Sequence, residues 1–482
     1  MRGPMTNNAN NHRAGGPSLI EAAAPVLTLA ILMGLVIAAF GDDATGGPAQ
    51  LALIAAGALA GLLAVLRGVD WELLETSVVS TVSSATIAIL ILLSIGALIG
   101  VWMLAGVIPT LVYYGTQILN PAIFYPSALI LCAIVSLAIG SSWTTAGAIG
   151  VALMGIAEAS GLSLVITAGA VISGAYFGDK LSPLSDTTNL APAVAGSELF
   201  DHIRFMMWTT VPAFLIALVF FTVAAQFTGP PPEAGQVGGL IEALEGHFNI
   251  TLWLLAPLFI LLFLAQRRMP ALPTLLISIL VAAAFAAAFQ WQGNAVFMIG
   301  EIWQVAAGGY EAQTGNVVAD ELLSRGGMGS MLTTIWLILS AMFFSGMMEG
   351  SGQLARLVTA LTRGLQRAGA VIAGAGFTAM FANLIASDQY MSIVITGRMY
   401  ADEFKRRKLA PVNLSRALED FGTITSPLVP WNTCGAYMAA TLGVATTAYL
   451  PFAIFNIAGP LVALAFAATH FKIRAAEEAH AS

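Results

Sequence analysis

Ten stretches of this chain, near 19–40, 49–66, 84–105, 163–196, 206–228, 250–266, 270–290, 330–350, 409–440 and 446–470, are apolar over about the length of a bilayer-spanning helix, roughly 20 residues. Only 9% of the residues are charged and 58% are hydrophobic, far from the quarter-charged mix of a soluble domain. The expected fold class is an all-α polytopic membrane protein. The run Leu19–Phe40 outlasts the apolar segment of a signal peptide and more spans follow it, so it reads as the first membrane helix.

Within that frame the chain repeats itself. Gly178-Asp179-Lys180-Leu181-Ser182-Pro183-Leu184 returns 244 residues later as Gly422-Thr423-Ile424-Thr425-Ser426-Pro427-Leu428. Gly100 and Gly106 correspond to Gly346 and Gly352, and Ile139-Gly140-Ser141-Ser142 to Ile385-Ala386-Ser387-Asp388, both at an offset of 246. Three landmarks in one order indicate a duplicated architecture. Broken segments at matching places are the pattern of a secondary transporter, whose interrupted helices meet at the bilayer midplane.

Two further apolar stretches, 122–157 and 368–400, are interrupted by Gly140-Ser141-Ser142-Trp143-Thr144-Thr145 and by Ser387-Asp388-Gln389. Each is either two spans or one re-entrant hairpin. Treating both as hairpins puts Arg67, Arg204, Arg267, Arg268, Arg356, Arg363, Arg367, Lys405-Arg406-Arg407-Lys408, Lys472 and Arg474 in the cytoplasm together. The outcome is about ten spans and two hairpins, in two inverted repeats of about five spans, a hairpin and a broken helix each. The expected domains are a disordered cytoplasmic tail (1–18), a first repeat (19–228), an external linker (229–249), a second repeat (250–471) and a cytoplasmic tail (472–482). The segment 292–330 reads as an external loop carrying an amphipathic helix.

An ionisable group within hydrocarbon costs roughly 2.5 kcal/mol or more, so each one kept there is a functional candidate. The first cluster is Gly178-Asp179-Lys180-Leu181-Ser182-Pro183-Leu184-Ser185-Asp186-Thr187-Thr188-Asn189. Gly178 and Pro183 weaken the helix there and free carbonyls, while Asp186, Thr187, Thr188 and Asn189 add hard oxygen ligands of the kind Na⁺ takes. Asp179 reads either as an exchanging acid or as the ion-pair partner of Lys180. In the second half, Gly422, Pro427 and Pro430 are the corresponding breaks. Ser426, Asn432 and Thr433 offer neutral oxygens there, and the hairpin tips offer Ser142 and Asp388. Glu349 is either a further exchanging acid or an interfacial acid near a helix end. Glu419-Asp420 lies inside the membrane or at its cytoplasmic mouth. Lys180 and Arg416 are the basic residues within reach of a site.

Some classes drop out. His12, His202, His247, His470 and His480 are expected in tails or loops, which disfavours haem or a His-based metal centre. Cys132 and Cys434 have no metal or redox spacing and read as small buried side chains. With neither a His-Glu-x-x-His motif nor a G-x-S-x-G elbow, the chain is not expected to be an enzyme. No cofactor and no nucleic-acid partner are expected either.

The segment Gly174-Ala175-Tyr176-Phe177-Gly178-Asp179-Lys180-Leu181-Ser182-Pro183-Leu184-Ser185-Asp186-Thr187-Thr188-Asn189-Leu190-Ala191-Pro192 closely resembles the central motif of NhaC-type sodium/proton antiporters. Trp208-Thr209-Thr210-Val211-Pro212, Ala386-Ser387-Asp388-Gln389-Tyr390 and Pro427-Leu428-Val429-Pro430-Trp431-Asn432-Thr433 are similar to that family too. The resemblance implies exchange of cytoplasmic Na⁺ for external H⁺ across the plasma membrane, with Na⁺ bound transiently as substrate. Because the family includes malate/lactate exchangers, an organic-anion exchanger coupled to H⁺ or Na⁺ is the alternative. The expected partners are Na⁺, H⁺ and the lipid bilayer, with both termini cytoplasmic and a homodimer allowed. The exchanging acids are expected to be Asp186 and Asp388, then Asp179 and Glu349. Ser182, Thr187, Thr188, Asn189, Ser142, Ser426, Asn432 and Thr433 serve as neutral ligands, and Pro183 and Pro427 keep carbonyls free.

Overall fold

The computed structural model describes residues 16–476 except 119, 228–233, 268, 292–293, 316–319, 321–322 and 363–365. Most of the two expected tails, part of the external linker, and Arg268 and Arg363 fall outside the described residues. Within them the chain is helical and has no β-strand. Nine of the described helices are long and apolar enough to cross a membrane, or up to 11 when each bent pair, near 241–266 and 446–469, is one span.

The first half begins with α1 (Leu19–Phe40), α2 (Pro48–Leu66) and the 34-residue α3 (Trp71–Leu104). After Gly106, whose φ of 78° suits a residue without Cβ, come α4 (Val107–Ile118) and α5 (Phe124–Ile139). The first interrupted stretch then turns at Gly140-Ser141 into α6 (142–159), which contains a π-helical turn at Ala146–Gly150. Next come α7 (Leu164–Leu181), a break at 182–185, α8 (Asp186–Ala195) and α9 (Leu199–Ala224).

Then come α10 (Ala234–His247), α11 (Ala256–Gln266), α12 (Ala271–Phe285) and α13 (Ala295–Gly308). The second half repeats the order of elements. Its long helix α14 (Leu332–Gly350) is followed by Gly352 at φ 73° and by α15 (Gln353–Thr362). Then come α16 (Ala368–Ala386), a tip at Ser387-Asp388, and α17 (Gln389–Arg406). The second broken helix is α18 (411–423, ending in a π-helical turn at Leu418–Thr423), a break at 424–432, and α19 (Thr433–Leu442). Last is α20 (Ile454–Thr469).

Packing mixes the two halves. On one side α14 lies against α2 and α3, α1 against α2, and α12 and α13 against α3. On the other, α5 lies along α7, α9 along α20, and α17 on α16 and α8. The second interrupted stretch folds back on itself. The first does not pair along its length, because α6 packs on α4 and α7 while α5 is taken by α7.

Small residues let these backbones meet, as expected between helices in lipid. A Cβ on Gly174 would stand 2.2 Å from the Leu129 carbonyl oxygen, and one on Gly178 would stand 2.4 Å from that of Ala133. Gly178 was expected to mark the helix break, but it lies within α7 as a packing glycine. Gly422 likewise sits in the helical turn at the end of α18, not in the break that follows. Gly178→Ala therefore overpacks the α5–α7 contact and is expected to cost about 1–3 kcal/mol. Thermal unfolding in detergent should show a clear drop in Tm. Gly34→Ala on α1, which meets nothing within 4 Å, should not lower it.

Candidate functional site

Both breaks end in helix caps. Ser185 Oγ accepts from Thr188 N at the start of α8, and Asn432 Oδ1 from Cys434 N at the start of α19. The two tips do the same: Ser141 Oγ accepts from Thr144 N, and Asp388 Oδ1 from Tyr390 N and Met391 N. Such caps satisfy donors that a helix start leaves orphaned. The caps Ser141 and Asp388, and likewise Ser185 and Asn432, correspond at an offset of 247, so the second break is longer than the 244-residue phrase offset implies.

The four helix starts face a cavity of about 280 Å³ lined by Ser141, Ser142, Asp179, Ser185, Asp186, Thr187, Asp388, Gln389, Tyr390 and Thr433, with Ser84, Ile87 and Ile91 of α3 opposite. Three expected acids and three expected hydroxyl ligands thus share one space. Asp179 Oδ2 accepts from Ser142 N at 3.0 Å and from Ser142 Oγ at 2.6 Å. Asp388 Oδ2 accepts from Thr433 Oγ1 at 3.0 Å. In each half a carboxylate and a hydroxyl clasp the tip to the broken helix, with the roles exchanged: the acid is on the broken helix in the first half and on the tip in the second. Asp186, at the first turn of α8, is exposed toward the cavity, and among the described residues no protein donor holds its carboxylate. The halves are also joined directly. Trp143 stacks on Tyr437 with centroids 4.0 Å apart, and Tyr437 Oη donates to the Trp143 carbonyl at 2.7 Å.

Other expected site residues lie elsewhere. Glu349 lines a separate cavity of about 520 Å³ with Arg67, Ser77, Ser80 and Ser351. Ser182 Oγ accepts from Leu184 N inside the break, and Ser426 Oγ donates to the Thr423 carbonyl. Thr188 Oγ1 donates to the Asp179 and Lys180 carbonyls, and Asn432 Nδ2 to the Asn383 carbonyl. Nor do the prolines leave carbonyls open. The carbonyls four residues back, which their missing N–H groups would have bonded, are both taken: that of Asp179 by Thr188 Oγ1 at 3.2 Å and that of Thr423 by Ser426 Oγ at 2.6 Å. Pro430 lies in the second break, whose flank is tied to α16 by Trp431 Nε1 donating to the Leu384 carbonyl.

Lys180 does not pair with Asp179. Its ammonium donates to Asp420 Oδ1, 240 residues away, and Thr209 Oγ1 donates to the same oxygen at 3.0 Å. Arg416 Nε stands 4.0 Å from Asp420 Oδ2, and its guanidinium lies 4.3 Å over the Phe205 ring. Glu419 and Asp420 are both fully buried. His202 is not in a loop either: it is buried on α9, with Nδ1 2.8 Å from Ser415 Oγ. Cys132 and Cys434 are free and buried, as expected. The sequence reading missed Ser185, Gln389 and Thr209. Ser185 carried a signal: a serine just after Pro183 and directly before the acid Asp186 is a common helix N-cap setting.

A wider cavity of about 750 Å³ shares Ile87, Ile91, Gly140, Ser141, Asp186 and Ala271 with the first. It continues past Pro183 and Asn189 to Met269 and Pro270, between α11 and α12. The site therefore has a path along the seam between α12 and the broken helix.

A profile of the Na⁺/H⁺ antiporter family matches residues 174–471, which include both breaks, the second tip and Lys180. The chain is 40% identical to the Na⁺/H⁺ antiporter NhaC of Alkalihalophilus pseudofirmus, over 83% of this chain and 85% of that one. It is 36% identical to the malate-2H⁺/Na⁺-lactate antiporter of Bacillus subtilis, over 90% and 91% of the two chains. It is 34% identical to the arginine/ornithine antiporter ArcD of Halobacterium salinarum, over 95% and 93%. Apolar helices in number, paired breaks facing one polar cavity and these matches agree: the chain is a multi-pass membrane protein belonging to the Na⁺/H⁺ antiporter family, a family of transporters.

Proposed function

We propose that this protein exchanges cytoplasmic Na⁺ for external H⁺ across the plasma membrane, with Asp179, Asp186 and Asp388 as the acids that hold either ion. The observation that carries this reading is the convergence of three carboxylates from both halves on one cavity. A carboxylate drawn out of water binds its proton more tightly, and Na⁺ prefers hard oxygens. The same oxygens therefore serve one ion or the other. Asp186, without a protein donor, meets the arriving ion first. Asp179 and Asp388 complete the site with Ser142, Thr187 and Thr433 as neutral ligands. The four helix starts carry partial positive charge. They offset part of the acids' charge, so the cation is bound loosely enough to leave.

Na⁺ would enter along the cavity beside Met269 and Pro270, next to Arg267, which the positive-inside rule puts in the cytoplasm together with both termini. The two halves would be inverted repeats, rocking against the α2–α3–α14 side about the site. Glu349 has no part in this scheme.

The malate/lactate relative and the ring of helix starts, which favour anions, support a second reading: an organic-anion exchanger on the same site. Purified protein in liposomes loaded with a pH dye separates the two. An NaCl pulse should move protons with no organic anion present. By mass action, a tenfold rise in Na⁺ should shift the acid limb of the flux down by about one pH unit. Silence to NaCl with a response to malate and lactate would favour the second reading.

A further inference from the structure

A second group of ionisable side chains lies behind the cavity. Asp179 lines the cavity, and Lys180, the next residue on α7, turns away to Asp420. One residue before Asp420 is Glu419, wholly buried; neither carboxylate oxygen has a well-formed hydrogen bond, and the donor beside it is the Thr423 hydroxyl of the same turn, itself otherwise unpartnered. Glu419 sits in the π-helical turn Leu418–Thr423, an irregularity found often at functional sites.

On the α9 side stand Thr209, which donates to Asp420, and the buried His202 beside Ser415. The charges that act on Glu419 are Lys180 and Asp179 of α7 and Asp420 of its own helix, and Arg416 lies one turn back, against Asp420. The packed helices α16 and α20 carry no charged residue. Where α17 and α8 meet this turn they present Gly397 and Val194 near Leu418, and Ser392 and Ile393 near Gly422. Asp186 of α8 lines the cavity instead. While Asp179 is ionised, Lys180 and Arg416 balance Asp420 and Asp179, so the group is then neutral when Glu419 holds a proton. An ionised Glu419 would be a buried charge with only the Thr423 hydroxyl to answer it, a cost of several kcal/mol.

We propose that Glu419 is a second proton-binding site, separate from the exchange cavity, and that loss of its proton raises the cavity's affinity for a cation. The link is short. Lys180 and Asp179 are peptide neighbours, and Thr188 Oγ1 donates to both of their carbonyls. Once Glu419 is ionised, an unbalanced negative charge stands behind Asp179, and a cation in the cavity is the counter-charge that answers it. By reciprocity, a cation bound there releases the Glu419 proton. This second half rests on the cation-exchange reading; the proton site itself does not.

Infrared difference spectra of the full-length protein in liposomes, without Na⁺, test the proton site. They should run from about pH 6 to about pH 10, a range that brackets known buried glutamates. The wild type should lose a protonated-carboxyl C=O band that Glu419→Gln lacks throughout, and Glu419→Asp should restore a band with a different midpoint. Identical wild-type and Glu419→Gln spectra would overturn the proposal. For the coupling, the apparent Na⁺ affinity of Glu419→Gln should match wild type at the acid end. At the alkaline end it should be weaker by about fivefold or more. Parallel curves would overturn the coupling. If wild-type protein moved no protons with Na⁺, the exchange reading would fail, and the infrared band would still decide Glu419.

Discussion

Asp388→Asn should fold like the wild type and lose Na⁺-driven proton movement. The two effects separate because Asp388 does two jobs. Its Oδ1 caps α17, accepting from Tyr390 N and Met391 N, and asparagine caps a helix about as well as aspartate. Its other oxygen faces the cavity beside Thr433, where the charge counts. A unit charge about 4 Å from a cation at an effective dielectric of 20 contributes about 4 kcal/mol. Even with much of that spent on desolvation, the loss of Na⁺ affinity should be roughly a hundredfold. The amide also cannot carry the proton. Asp388→Ala should lose transport and also about 1 kcal/mol of stability with the cap. Flux in liposomes and thermal unfolding of both variants separate the roles; normal flux through Asp388→Asn would exclude Asp388 from the exchange.

The second large effect is on stability. Asp420→Asn should destabilise the protein by about 3–5 kcal/mol, because it strands the charge of Lys180, which is 1% exposed. Thr209 Oγ1 loses a charged acceptor at the same time, and Arg416 loses its nearest acid. Lys180→Met alone should also be costly, since it leaves Asp420 ionised and buried. The double variant Lys180→Met/Asp420→Asn should recover much of the loss, because a buried ion pair replaced by neutral groups is often close to neutral overall. Unfolding of the four proteins in one detergent gives the coupling. Additive losses would mean that the ammonium and the carboxylate do not depend on each other.

How far local pattern reaches can be judged residue by residue. The breaks and tips were legible because Pro183, Pro427 and the polar runs at Ser141 and Asp388 act on their own backbone within a turn. Asp186 and Asp388 stood out because an acid in an apolar stretch is costly wherever its helix points. The pairing of Asp179 with Lys180 could have been rejected from helix geometry alone: adjacent residues on a helix point about 100° apart, and i,i+1 side chains do not face each other. An apolar span beginning at 206 leaves His202 in a loop, whereas Glu198, whose carboxylate accepts from Phe200 N and Asp201 N, starts α9 at Leu199.

The amino-acid order alone determined that the chain enters lipid as helices, that its plan occurs twice, and where each helix is interrupted, since hydropathy and the missing proline donor act over a few residues. Only the tertiary structure decided which acids share a cavity and that Lys180 answers Asp420 across 240 residues. Those outcomes depend on how each helix is rotated and which backbone its glycines let approach, and that is settled by contacts between segments far apart in the chain.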